Sequence, residues 1–143
     1  MSGGVSRKTV GNRLFGLGRL PRRARPALEA EGIRLLDEGI RADLTLRRIR
    51  APGRFILYRR EFRSGAIAVT AQRVVAFVWW GKLFDVPLGD PNLEKLEITV
   101  PRPGILAVSF DVGDFEDGRT GRITCRFSTD LAAQFARLVS PGR

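Results

Sequence analysis

The chain has 143 residues, 43% of them hydrophobic and 28% charged, a size and balance that suit one folded domain and exclude a disordered chain. Its net charge is +10, with one cysteine and no histidine, which removes internal disulfides, His-ligated zinc, and Ser-His-Asp and Cys-His catalysis together. No apolar run approaches the roughly 20 residues of a spanning helix, and the lone thiol fits a reducing cytoplasm.

Residues 1–26 carry seven basic side chains, Arg7, Lys8, Arg13, Arg19, Arg22, Arg23 and Arg25, and no acid. They read as a basic extension to a domain spanning 27–143. Leu14, Phe15, Leu17 and Leu20 can form an amphipathic face, but Gly11 just before it and Gly16 and Gly18 within it restrict a helix there to forming against a surface. Pro26 to Gly32 reads as a short helix, with proline in its first turn and glycine as its stop. Residues 40–47 alternate strictly between apolar and polar, the mark of a half-buried strand. Ala51-Pro52-Gly53 breaks it. Phe55-Ile56-Leu57-Tyr58 is then either a short strand or an apolar lip on a long first loop.

Ser64 to Trp80 reads as two apolar strands folded about Ala71-Gln72. Trp79 and Trp80 are adjacent, so on a strand one faces the core and the other the surface. Further strands are expected over 82–88, 93–100, 105–112 and 119–127. Ser128-Thr129-Asp130 offers N-caps for a helix over 131–139, whose Leu131, Phe135, Leu138 and Val139 share one face. The expected fold is mainly β, a partly open barrel of about seven antiparallel strands capped by one C-terminal α-helix.

The stretch Gly65-Ala66-Ile67-Ala68-Val69-Thr70-Ala71-Gln72-Arg73-Val74-Val75-Ala76-Phe77, the Val86-Pro87-Leu88 segment and the closing helix from Asp130 to Val139 resemble bacterial pleckstrin-homology-like domains and their GRAM-type relatives. The resemblance covers about residues 33–140. It implies a non-catalytic binding module, with Thr70 and Arg73 as structural residues of the corner. In lipid-binding members of that family, basic residues around the first loop hold phosphates. The matching region here carries Arg47, Arg48, Arg50, Arg54, Arg59, Arg60 and Arg63, the candidate anion-binding set, in an arginine-rich first loop. Guanidinium forks suit phosphate oxygens.

Charge is segregated. Residues 41–63 hold eight arginines against Asp43 and Glu61, whereas 85–117 hold eight acids against Lys95 and Arg102. Such a layout suits docking to an anionic membrane surface or an acidic protein through the basic arm and the arginines, or head-to-tail pairing into a homo-oligomer. Nucleic acid comes behind these, because no recognition helix or aromatic ladder is legible. Asp111, Asp114, Glu116 and Asp117 lack the alternation of a calcium loop and read as a solvated hairpin. Cys125 lies in an alternating segment and reads as a strand residue rather than a nucleophile. No cofactor, metal or enzymatic activity is expected, and the module is expected to be cytoplasmic, peripheral at the membrane.

Overall fold

The computed structural model describes residues 20–139. Helix α1 (Arg25–Glu31) leads into seven strands, β1 (Ile33–Ala51), β2 (Arg54–Thr70), β3 (Arg73–Val78), β4 (Gly81–Pro87), β5 (Glu97–Arg102), β6 (Ile105–Asp111) and β7 (Thr120–Ser128), followed by helix α2 (Ala132–Val139). All pair antiparallel in one open sheet of order β4-β3-β2-β1-β7-β6-β5. The mainly β fold with one closing helix matches the reading from strand order.

One expectation fails. The arginine-rich first loop is not a loop: β1 runs for 19 residues and β2 for 17, joined only by Pro52-Gly53. Proline sets the first corner position and Gly53, at φ +70°, the second, as a tight type II turn requires. Phe55 to Tyr58 therefore belong to a long hairpin.

The inner face of the sheet holds the main core, with Leu44, Ile67, Val69, Leu106, Phe127 and Phe135 among its fully buried side chains. Amphipathic α2 closes it. A second, smaller cluster lies on the other face of β2 and β3, where α1 and Leu20 cover Ala66, Ala68, Val75 and Phe77. This explains why residues 65–70 and 74–78 read as continuous apolar runs, since those strands are covered on both faces. The cover is pinned where Glu38 accepts the Leu20 amide at 2.7 Å and the Arg25 guanidinium at 2.6 Å. Cys125 is fully buried, and burial pushes its thiol far above the ordinary range, so it is inert packing.

Thr70 ends β2 with its hydroxyl accepting the Gln72 and Arg73 amides at 3.0 and 3.1 Å and donating to Glu31 at 2.8 Å. Arg73 donates to Glu31 and Asp85, at 3.0 and 2.6 Å, joining α1 and β4 to the corner. Both residues serve the turn, the structural role read for them from sequence. The hydrogen bond from Arg73 is the largest influence on Glu31 and holds its pKa below the ordinary value. A depressed carboxyl stabilises the fold above its unfolded pKa and ceases to as pH falls through the folded one. The stability gap between wild type and Glu31→Gln is thus expected to be full at neutral pH and to close below pH 4.5, the ordinary glutamate value, as read by thermal melts across an acid series.

Candidate anion-docking face

Covering β2 and β3 with α1 leaves the outer face of the rest of the sheet bare, and that face carries the charge. Its rows follow from register. Asp43 of β1 lies between Phe62 of β2 and Arg126 of β7, and Arg126 opposes Ala107 of β6. One step along, Thr45 lies between Arg60 and Thr124; next, Arg47 lies between Tyr58 and Arg122. Strict alternation would then turn the tip of the hairpin over, but the chain shifts by one residue. Leu46 and Ile49 both pack on the core although three apart, because Arg48 sits at φ +53° in a bulge. Gly121 of β7 makes room for it: a Cβ there would stand 2.6 Å from the Arg48 carbonyl oxygen, and φ +123° suits glycine alone.

The shift brings Arg47 and Arg50 to the same side, each over the ring of its partner across the hairpin. Arg50 stacks on Phe55 at 5.1 Å and Arg47 on Tyr58 at 5.7 Å. Farther down, Arg41 and Arg60 both stack on Phe62, at 5.1 and 4.7 Å. The result is an arginine–aromatic ladder whose rings remain about half exposed, Phe55 at 55%, Tyr58 at 57% and Phe62 at 49%. Stacking uses the flat face of a guanidinium and leaves its N–H edge to solvent, so the ladder presents donors held by their rings.

The candidate arginines thus divide. Arg47, Arg50 and Arg60 share the outer face, whereas Arg54 and Arg59 line a cleft of about 450 Å³ at the open end of the sheet, Arg59 lying 3.8 Å from Glu61. Arg48 occupies the bulge, and Arg63 stacks on Trp79 at 5.5 Å. Trp79 and Trp80 are both exposed in the β3–β4 turn, so neither joins the core as alternation implied. Of the basic arm, Arg22 and Arg23 are exposed and Arg25 pairs with Glu38; Arg7, Lys8, Arg13 and Arg19, with Leu14, Phe15 and Leu17, lie outside the described residues.

Sequence reasoning missed Arg41, Arg102 and Arg126. These three join Arg60 around one shallow groove of about 560 Å³ on the outer face. Asp43, also in the groove, is held by both nitrogens of the Arg60 fork at 2.9 and 3.2 Å, a bond that raises the Arg60 pKa further. The acidic half is more self-contained than its sequence suggests. Asp85 pairs with Arg73 and Lys82, Asp114 with Lys95, Glu116 with Arg119, and both Glu97 and Asp111 with Arg122.

Among the described residues no group of three or more His, Cys, Asp or Glu is placed to hold a metal ion, and no helix is long and apolar enough to cross a membrane. No protein-family model, curated protein or solved structure matches the chain.

Proposed function

We propose that the chain is a non-catalytic, pleckstrin-homology-like binding module that docks peripherally on an anionic membrane surface through the outer face of its β1–β2 hairpin. The arginine–aromatic ladder carries this reading. Arginine edges suit lipid phosphates, half-exposed aromatic rings suit the membrane interface, and the basic arm adds long-range attraction. Phe55 and Leu57 lie just behind the turn, and Leu57 is 65% exposed, which supplies an apolar tip for the interface.

The same ladder favours a second reading, single-stranded nucleic acid, because rings along a strand are what such proteins stack bases on. The rings here are already engaged by guanidinium groups, so bases would have to displace Arg41, Arg47, Arg50 or Arg60. That observation puts the membrane first. In vesicle co-sedimentation, the full chain is expected to bind phosphatidylglycerol-containing vesicles and leave phosphatidylcholine vesicles alone, with single-stranded DNA competing weakly. Equal binding to both vesicles, or complete displacement by the oligonucleotide at low concentration, defeats the membrane reading.

A further inference from the structure

We infer that the groove on the outer face is a phosphate site that prefers a phosphate monoester dianion to a singly charged diester; the inference rests on the membrane-docking reading and names the headgroup class that the face takes.

Four guanidinium groups and one carboxylate line the groove. The carboxylate does not oppose an incoming anion as a free charge, since Arg60 engages both oxygens of Asp43. Among the described residues Arg41, Arg102 and Arg126 make no ion pair, in contrast to Arg60, Arg73 and Arg122 of the same sheet. Arginines on a solvated sheet normally find a carboxylate across the strand, as Arg122 does with Asp111. Here the neighbouring positions withhold one: Arg126 opposes Asp43, already taken, and Ala107, while Arg102 opposes Ile105, which opposes Ser128.

Register also sets the reach. Arg126 on β7 lies opposite Asp43, so Arg41, two residues along β1, is its diagonal neighbour at about 7–8 Å, within the span of two guanidinium side chains. Arg102 approaches from β5 across Ile105. Stacking on Phe62 restrains Arg41, which lowers the ordering cost of binding. Three unpaired forks converging on one groove match a group with three terminal oxygens and a charge near −2 at neutral pH. A diester offers two such oxygens and one charge. A phosphate monoester can come from a lipid headgroup such as phosphatidic acid or from a free phosphate ester, and the chemistry of recognition is the same.

The test has two arms on the full chain. In the first, NMR follows the arginine side chains and backbone during titration with glycerol 3-phosphate, with glycerophosphoglycerol as the diester control. Saturable shifts at Arg41, Arg102, Arg126 and Ser128 with the monoester alone are expected. In the second, phosphatidic acid and phosphatidylglycerol vesicles are matched in surface charge. Binding to phosphatidic acid is expected to be about tenfold tighter, the worth of one charge-assisted hydrogen bond. Arg102→Gln with Arg126→Gln removes that preference, lowering phosphatidic acid binding about tenfold more than phosphatidylglycerol binding, and melts as wild type because both side chains are exposed. Monoester shifts without a vesicle preference support the site and assign it to a free phosphate ester. Shifts without binding to either vesicle also support the site and overturn the docking reading instead. Equal response to monoester and diester, with the double variant indistinguishable from wild type, overturns the site and leaves docking standing.

Discussion

Replacing Arg47 and Arg50 together by glutamine is expected to weaken binding to phosphatidylglycerol vesicles about 30-fold, from about 1 kcal/mol for each cation brought to an anionic surface. Arg50 joins Arg47 on the outer face only because the Arg48 bulge interrupts alternation, and both sit over rings that restrain them. Their loss should flatten the salt dependence as well as lower affinity, since fewer charges remain to be screened. Stability should barely change, because neither side chain is buried and each stack contributes about 0.5–1 kcal/mol at an exposed site. Glutamine at Arg54 and Arg59 is the control, as those arginines line the inner cleft rather than the ladder. Co-sedimentation of the two double variants at low and high salt reads the difference. Equal losses would mean that charge alone, and not the ladder, governs docking.

Thr129→Val is expected to lower the melting temperature by about 10 °C with no effect on vesicle binding per folded molecule. Thr129 is fully buried, and its hydroxyl donates to Asp37 of β1 at 2.6 Å while accepting the Leu131 amide at 3.1 Å. One hydroxyl thus joins the start of α2 to a strand 92 positions away in sequence. Valine keeps the shape and loses both bonds. Leaving a buried carboxyl unmet costs about 1–3 kcal/mol and losing the cap about 1 kcal/mol more, a large part of a typical domain stability of about 5–15 kcal/mol. At roughly 3 °C per kcal/mol for a domain of this length, that gives the stated shift. Thr129→Ser should retain most of the stability. If Asp37→Ala and Thr129→Val add independently in a double-mutant cycle, the buried pair contributes nothing of its own.

The strands were legible wherever one face is buried and the other solvated, as over 40–47 and 120–127, because burial there writes period two into the sequence. The corner at Ala71-Gln72 was legible from the residues that build it. Where both faces are wet, the pattern vanishes: residues 54–63 of β2 mix arginine, aromatics and Glu61 on two exposed sides, so the sequence left short strand and loop lip open there and did not show the long hairpin. Trp79 and Trp80 misled for a related reason, since aromatic residues suggest a core that the β3–β4 turn does not offer them. The groove was out of reach of sequence altogether. Arg41, Arg102 and Arg126 come from three strands, and only register brings them together. Arg47, Arg50 and Arg60 were found because a single hairpin supplies them.

Before Gly65, β2 has a strand partner on one side only, β1, so the segment from Arg54 to Arg63 is a ten-residue sheet border among the described residues. A border of that length, rich in Phe, Ile, Leu and Tyr, is a template on which a second chain can add as a strand and aggregation can start. Arg54, Arg59, Arg60 and Arg63 occupy four of its ten positions. Two such borders brought side by side would set like charges against one another, so the arginines act as gatekeepers that keep copies of the chain apart in solution.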